Sequence, residues 1–272
     1  ADLAERAANA CAAIRQTDVA LAYGRAAVAA QRTDESRAAA LLRYALLCRR
    51  LDQSADALGA ARAANAGSAP DPHAHLLAAE LEARHGLLDD AVLDRLEAAS
   101  IVRGTDAAHA NALVSGAWLL APASVRASEA FALSLAQRGA VSASLAVRRH
   151  AALNSADIET RRRLLLAAAE RAELAELPLV AADLQLEALS SEPALEVVYD
   201  SLDEDLKAAW RGIERALVLE ELAGTAMPES RADYLVRLAD ARAEEGLEPT
   251  WTLSIVARGR GAGAELRQVA RT

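Results

Sequence analysis

Aromatic residues, glycine, proline and cysteine are all scarce in this chain of 272 residues. Aromatic residues make up 3% of the sequence, and there are 13 glycines and 7 prolines. Signals for β-strands are nearly absent, because few stretches combine β-branched and aromatic residues in alternation. Alanine, leucine, arginine and glutamate dominate instead, and all four favour helices. The composition therefore predicts an all-α protein, and its 53% hydrophobic content is enough for a continuous core.

Several classes of protein are disfavoured by what is missing. The two cysteines, Cys11 and Cys48, are too few for a disulfide framework and too far apart for a zinc site, so both are predicted to be buried and unreactive. No apolar run approaches the ~20 residues that span a bilayer. A net charge of −9 argues against a nucleic-acid-binding face. No signal peptide is recognised, so a cytoplasmic location is expected, although the chain begins at Ala1 and an upstream segment could have been trimmed.

Three aspartates are the strongest candidates for catalysis. Asp89, Asp90 and Asp94 resemble the aspartate-rich magnesium motif of terpenoid-forming enzymes, which are also all-α. However, Asp89 and Asp90 open a helix directly after Gly86, where acidic side chains offset the helix dipole without any metal. An all-α metal-dependent enzyme therefore stays open as the alternative function, while the preferred interpretation has no catalytic residue.

Neither the histidines nor the glycine-rich segment forms a recognisable site. His73 and His75 are two residues apart and so point to different faces of a helix, which makes a poor chelate. Gly259, Gly261 and Gly263 lack the following helix and strand of a dinucleotide site. The sequence therefore predicts no metal and no cofactor. Five histidines are predicted to be solvated: His73, His75, His85, His109 and His150.

One spacing recurs along the chain. A small residue is followed by a turn residue seven positions later and usually by a second small residue five positions after that. This pattern is typical of two helices that pack closely at small side chains and are joined by a tight turn, and repetition at this scale predicts a solenoid. The copies are Ala45–Asp52–Ala57, Ala79–Gly86–Ala91, Ala132–Gly139–Ser144, Ala169–Glu176–Ala181, Ala239–Gly246 with Trp251 as a misfit, and a weaker Cys11–Asp18–Tyr23.

The first helices share an arginine, a leucine and an alanine at steps of four residues, as in Arg37, Leu41 and Ala45. At these positions, and in its period of about 34 residues, the chain resembles the tetratricopeptide repeat family over about four-fifths of its length. The resemblance implies a single right-handed superhelix of antiparallel helix pairs. The expected segments are repeats at about 1–33, 34–71, 72–104, 122–157, 158–192, 193–224 (degenerate, with Trp210 and Gly212 near its turn) and 228–260, an extra helix at about 105–120 and a tail at 261–272.

In that family the first helix of each pair lines a concave groove that holds peptides. The resemblance therefore implies a protein-binding scaffold or regulatory module and not an enzyme. Leu42 and Leu46 replace the lysine and asparagine of chaperone-tail-binding members. Arginines in the groove could hold carboxylates, so an acidic or C-terminal protein segment is the expected partner, and a solvated face of mixed charge is the alternative. The groove would include Arg43, Arg49, Arg50, His73, Glu80, Arg84, Arg126, Arg163, Glu170, Arg237 and Asp240.

Overall fold

The computed structural model describes residues 2–67, 71–190, 196–225 and 228–246. These residues contain fourteen α-helices and no β-strand, so the all-α prediction is confirmed for the described part of the chain. The helices are α1 (Asp2–Ala13), α2 (Thr17–Ala29), α3 (Asp34–Arg50), α4 (Ser54–Asn65), α5 (Pro72–Arg84), α6 (Leu88–Val102), α7 (Ala107–Leu120), α8 (Val125–Gln137), α9 (Val141–Asn154), α10 (Ile158–Leu174), α11 (Pro178–Leu189), α12 (Glu196–Ala208), α13 (Gly212–Thr225) and α14 (Pro228–Glu244).

The chain divides into two compact units, Ala1–Val147 and Arg148–Thr272. In the first unit α1 packs on α2, α3 on α4 and α5 on α6, and each of these pairs also contacts the next. Helix α7 lies in the segment where the sequence predicts an extra helix, and it packs against α6 and α8. In the second unit α10 packs on α11, α11 on α12, α12 on α13 and α13 on α14. None of the described helices is both long and apolar enough to cross a membrane.

Seven helices end in the same turn. In six of these turns the residue after the left-handed position donates its backbone N–H to the carbonyl five positions earlier at 2.9 Å, as Leu87 does to Glu82. The left-handed residue itself bonds the carbonyl three positions earlier, as Gly86 does to Ala83 at 3.1 Å. This arrangement is the Schellman closure of a helix. The left-handed residues, with φ between 57° and 77°, are Arg15, Asp52, Gly86, Gly139, Glu176, Trp210 and Gly246.

The recurring spacing therefore locates the turns at Asp52, Gly86, Gly139, Glu176 and Gly246, but it does not mark the turn at Trp210 and its N-terminal copy is wrong. The first turn is at Arg15, whereas Asp18 lies inside α2. The small residues that accompany Arg15 are Ala8 and Ala20, which are 2% and 0% exposed. The copy proposed from the sequence was thus displaced by three residues, because the true turn carries arginine in place of a typical turn residue. The Trp251 misfit, the tail and the glycine-rich run lie outside the described residues.

Small side chains form the contact between the two helices of most pairs. Ala79 and Ala91, which belong to α5 and α6, are 1% and 0% exposed. In the α8–α9 pair, Ser144 Oγ donates to the backbone carbonyl of Ala132 at 2.7 Å, so the two helices are bonded directly at this position. A methyl or hydroxyl group at these positions lets two helix backbones approach closely, which explains why the small residues recur.

One pair departs from this rule. Seven residues before Trp210 stands Asp203, and five residues after it stands Arg215, so both small positions of the α12–α13 pair hold charged residues. Arg215 Nε lies 2.5 Å from Asp203 Oδ1, and both side chains are buried. A salt bridge thus replaces the contact between small residues. The sequence signal fails here because both of its small residues are absent.

The two kinds of connection between helices differ in how the next helix begins. Helices α3, α5, α7, α8 and α10 each begin after a side chain that accepts a backbone N–H, and Asp71 and Asp157 are examples. Helices α2, α4, α6 and α11 follow a Schellman turn and have no such side-chain cap. Links between pairs are therefore stabilised by side chains, and turns within pairs by backbone hydrogen bonds.

The cysteines are both free thiols. Cys48 is fully buried within α3, and burial raises the pKa of its thiol, as predicted for an unreactive core residue. Cys11 in α1 is only half-buried, so its placement in the core is wrong. The displaced helix phase of the N-terminal copy explains the difference, since Ala8 is the residue that faces the core there.

Candidate functional site

Two neighbouring depressions lie on the first helices of the first unit. One, of about 220 Å³, is bordered by α1, α2 and α3, and its polar lining includes Glu5, Arg43 and Arg50. The other, of about 410 Å³, lies between α3 and α5. Leu46 of α3 lines both. We call the two depressions together the α3 groove. The second depression is lined by Leu42, Leu46, Arg49, His73, Leu76, Leu77 and Glu80.

The periodicity of α3 explains why these side chains share one surface. Leu42, Leu46 and Arg49 are separated by four and three residues, so they lie on one face of the helix. Leu46 is 38% exposed and lies where the two depressions adjoin. Leu76 on α5 is partly buried across the same depression. The floor of the α3 groove is therefore apolar.

Most of the arginines beside this floor are already paired. Arg43 Nε lies 2.6 Å from Glu5 Oε1. Glu80 accepts from two arginines, Arg49 and Arg84, each at 2.6 Å. Arg50 forms no ion pair with the described part of the chain. Of the α3 and α5 arginines predicted to hold carboxylates, only Arg50 thus lacks an ion pair within the described residues, and the groove is a leucine floor with a largely neutralised rim.

The other residues predicted for the groove lie elsewhere. Arg126 is exposed in the first turn of α8 and lines neither depression. Arg163 and Glu170 are exposed on α10, in the second unit. Arg237 and Asp240 belong to α14, and Arg237 bonds Asp200 at 2.8 Å and Asp233 at 2.9 Å. The structure therefore brings together the predicted residues of α3 and α5, while a groove that continues over the later helices stays a prediction.

Sequence reasoning missed the contribution of α1 and α2 to the groove. Glu5 and Asn9 of α1 and Gly24 of α2 line the smaller depression, together with Tyr44 of α3. The tyrosine hydroxyl also accepts a hydrogen bond from Arg25 Nε at 3.0 Å. The correct phase of the first turn at Arg15 would have placed Glu5 on the groove side of α1.

The aspartates of the alternative hypothesis are engaged in other contacts. Asp90 Oδ2 bonds Arg62 Nη2 at 2.7 Å. Asp94 Oδ1 lies 2.6 Å from His75 Nδ1 and also accepts from Asn65. In the described ranges no group of three histidine, cysteine or carboxylate side chains is placed to hold a metal ion. These aspartates connect α4, α5 and α6, and nothing in their arrangement supports an enzyme.

A buried carboxyl group lies beside this network. Glu82 of α5 is 1% exposed and accepts from Arg62 Nε at 2.8 Å. Burial raises the pKa of Glu82, against the opposing effect of Arg62. The prediction that all the histidines are solvated is wrong for His75, whose side chain is 12% exposed because it packs beside Asp94. Periodicity could not show this, since the partners of His75 and Glu82 come from neighbouring helices.

A second perturbed carboxyl group belongs to the second unit. Burial raises the pKa of Asp205 on α12 to about 6, and the negative charge of Glu173 adds to this effect. Gln185 of α11 donates to Glu173 Oε1 at 2.6 Å. The same amide donates to Ser201 Oγ at 3.1 Å, so the cluster connects α10, α11 and α12.

No family model and no curated protein matches the chain. Three solved structures are similar to the chain, each with a TM-score below 0.4. A tetratricopeptide repeat protein from Parabacteroides merdae has 11% identity and a TM-score of 0.32 over 99% of this chain and 97% of that one. The Naa15/Naa10 complex bound to HypK-THB has 12% identity and a TM-score of 0.38 over 98% of this chain and 44% of that one. The tetratricopeptide repeat domain of P58(IPK) has 14% identity and a TM-score of 0.30 over 98% and 95%.

Proposed function

We propose that this chain is a non-catalytic protein-interaction module that binds a peptide segment of a partner protein in the α3 groove. The observation that carries the proposal is the position of Leu46, which is 38% exposed between two adjoining depressions. A scaffold or the sensory part of a larger regulator would use such a surface. The alternative of a metal-dependent enzyme has no supporting contact among Asp89, Asp90 and Asp94.

The groove suits an aliphatic side chain from the partner. Covering Leu42, Leu46 and Leu76 would remove apolar surface from water, which is worth about 25 cal/mol per Å². The Arg49–Glu80 pair at the rim is already formed, so binding need not desolvate an unpaired charge there. A peptide with leucine-like side chains therefore fits this surface better than a purely acidic one.

Arg50 adds a single site for a carboxylate. It lies four residues after Leu46 on the same face of α3 and forms no ion pair in the described part of the chain. Its guanidinium can hold a carboxylate through two parallel hydrogen bonds. We therefore expect an apolar segment that carries one acidic residue, or a C-terminal carboxylate, beside its aliphatic anchor.

The test uses peptides selected from a phage-displayed library of random 12-residue sequences against the full chain. Their affinities are then measured for the wild type, for Leu46→Asp and for Leu133→Asp. Leu133 is a matched control because it is 42% exposed on α8 and lies outside both depressions. We expect Leu46→Asp to weaken binding about tenfold or more, and Leu133→Asp to leave it nearly unchanged. Equal binding by all three proteins would show that the α3 groove is not the site.

The acidic part of the proposal has a separate test. Arg50→Gln should weaken the selected peptides at low salt and have less effect at high salt, because the contact it removes is electrostatic and screened. Arg84→Gln is the control, since Arg84 is already bound to Glu80. If the two variants behave alike, the groove binds through its leucines only.

A further inference from the structure

The turn after α12 contains a residue that neither the turn nor the core requires. Trp210 has φ 58°, a backbone conformation that bulky residues rarely adopt. Its side chain is 93% exposed. The left-handed residues of the other six turns are glycine or charged: Arg15, Asp52, Gly86, Gly139, Glu176 and Gly246. A tryptophan that is strained and exposed at the same time indicates a role outside the fold itself.

Trp210 is part of an apolar surface. Ile213 and Leu217 are four residues apart and share one face at the start of α13, and Trp210 lies in the turn two residues before that helix begins. Ile213 is 62% exposed and Leu217 is 61% exposed. A single exposed leucine needs no explanation, whereas a contiguous exposed apolar face marks an interaction site.

The preceding helix pair extends this surface. Leu174 at the end of α10 is 81% exposed, and Leu179 and Val180 at the start of α11 are 52% and 37% exposed. Arg211 Nη1 lies 2.5 Å from Asp183 Oδ1, which joins the turn after α12 to α11. The two sets of side chains are therefore neighbours. We call them the turn-edge patch: Leu174, Leu179, Val180, Trp210, Ile213 and Leu217.

The repeat itself does not demand apolar residues at these positions. Two residues before the turn, where the second unit has Leu174, the first unit has Arg50 and Arg84. Three residues after the turn, where the second unit has Leu179 and Ile213, the first unit has Asp18 and Asp89 at two of its turns. Charged residues at these positions support equally well-formed turns, so the turn itself does not require Leu174, Leu179 or Ile213 to be apolar.

The charges around the patch indicate the nature of its partner. Asp183 and Glu214 are partly exposed at its border, and Glu176 lies in the turn of the preceding pair. The basic residues beside the patch are Arg211, which is already shared between Asp183 and Glu214, and Lys207, which is exposed three residues before Trp210. A second copy of this chain would bring the same carboxylates and the same net charge of −9 to the contact. The excess of acidic groups therefore favours a basic partner.

We propose that the turn-edge patch binds a basic amphipathic helix of another protein. Such a helix presents apolar side chains every three or four residues, and these would cover Ile213 and Leu217 beside Trp210. Its lysines or arginines would face Asp183 and Glu214. Trp210 is the anchor of the contact, since tryptophan is enriched among the residues that dominate binding at interfaces. This surface is separate from the α3 groove and does not depend on the function proposed for it.

The test uses a fluorescein-labelled synthetic helix of 18 residues, built from leucine on one face and lysine on the other. Binding is followed by anisotropy for the wild type, for Trp210→Gly and for Leu119→Ser. Leu119 is a matched control, because it is 68% exposed on α7 in the first unit. We expect Trp210→Gly to weaken binding about tenfold or more, and Leu119→Ser to leave it within about twofold of the wild type.

Two further measurements separate a lost contact from a damaged fold. Trp210→Gly should raise the melting temperature, because glycine adopts the left-handed turn without strain. Replacing the lysines of the peptide with glutamate should abolish its preference for the patch. Wild-type binding by Trp210→Gly, or equal binding of the glutamate peptide, would overturn the proposal. So would a dimer, detected by light scattering, that Trp210→Gly dissociates, because it would identify a second copy as the occupant.

Discussion

The α5–α6 and α12–α13 pairs share a turn geometry but differ in the chemistry of their contact. In α5–α6 the two helices meet at Ala79 and Ala91, and Gly86 forms the turn. In α12–α13 the equivalent positions hold Asp203 and Arg215, which are 6% and 5% exposed. The Schellman hydrogen bonds are nevertheless present in both. The comparison shows that these backbone bonds accommodate either two methyl groups or an ion pair at the contact.

The hydrophobic clusters around the two helix pairs also differ, in the size of their side chains. The cluster that spans α2 to α5 has five alanines and three leucines among its nine buried residues. The cluster of the second unit contains Leu202, Leu219 and Leu238 together with two tyrosines. An ion pair in place of two alanines thus occurs where the neighbouring side chains are larger.

The largest expected effect comes from breaking the ion pair in α12–α13. Arg215→Ala leaves Asp203 buried without its closest partner, and this should lower the free energy of unfolding by about 3–5 kcal/mol. Urea denaturation at neutral pH measures the loss. Arg215 also bonds Glu244 at 2.8 Å, but that carboxylate is half-exposed and water can replace the contact.

The double variant Asp203→Ala with Arg215→Ala sharpens the same comparison. It recreates the alanine contact of α5–α6, so it should recover most of the stability that Arg215→Ala loses. A double variant as unstable as the sum of its two single variants would show that the charged pair supplies more than mutual neutralisation, through Arg237 and Asp200 beside it.

The second prediction concerns the buried carboxyl group of α12. The pKa of Asp205 is raised from 3.8 to about 6 in the folded state. Between these values the folded protein holds a proton that the unfolded chain has released, so this contribution to stability is lost as the pH rises from about 4 to about 6. Asp205→Asn removes the loss, and the variant should be more stable than the wild type at pH 7 by up to about 3 kcal/mol.

Thermal or urea denaturation of both proteins at a series of pH values measures this effect. The difference between the two proteins should be small near pH 4 and should grow until about pH 6. Taking the difference removes the opposite contribution of carboxylates with lowered pKa values, such as Asp157, whose stabilisation is lost as the pH falls. Parallel curves across this range would mean that Asp205 titrates normally.

The third prediction concerns a larger side chain at the close contact between α5 and α6. Ala91→Leu adds three carbon atoms where the side chain is 0% exposed, so it should destabilise the first unit by about 1–3 kcal/mol. Ala112→Leu on α7 is the control, because that alanine is exposed. If urea denaturation shows the same stability for both variants, the two helices are not held together at their small residues.

The prediction with the smallest expected effect exchanges the turn residues of the α5–α6 and α12–α13 pairs. Gly86→Trp should cost about 1–2 kcal/mol, because Gly86 has φ 77° and the penalty is that of the left-handed backbone. A Cβ atom at this position would have no other atom within 4 Å, so a steric clash of Cβ does not add to this penalty. Trp210→Gly should stabilise by about 1 kcal/mol for the converse reason. Melting temperatures that move in the same direction in both variants would contradict this account.

The turns were largely accessible from the sequence because small residues at fixed spacing report directly on a close helix contact. The spacing predicts the turn of α5–α6 for this reason, from Ala79, Gly86 and Ala91. It does not predict the turn at Arg15, because arginine is not a typical turn residue. The α12–α13 turn was placed only approximately, since Asp203 and Arg215 look like ordinary surface charges in the sequence. Only burial identifies them as a substitute for two alanines.

The location of the candidate site could be predicted from the sequence, but the ion pairs of its arginines could not. Helical register placed Arg49, His73 and Glu80 on one surface, and the structure brings these three side chains together. Register could not show that Arg43 is paired with Glu5, which lies 38 residues earlier on another helix. Contacts between helices decide which cations remain free, and a period along the chain carries no information about them.

The contacts within each unit join helices that are close neighbours in sequence, and α6 with α8 is the most distant pairing among the principal contacts. Such a molecule has a low contact order, so few long loops must close before the native contacts form. Each helix pair can be completed as soon as its second helix has been synthesised. We expect folding in milliseconds or less, with unfolding that begins at the outermost helices of a unit.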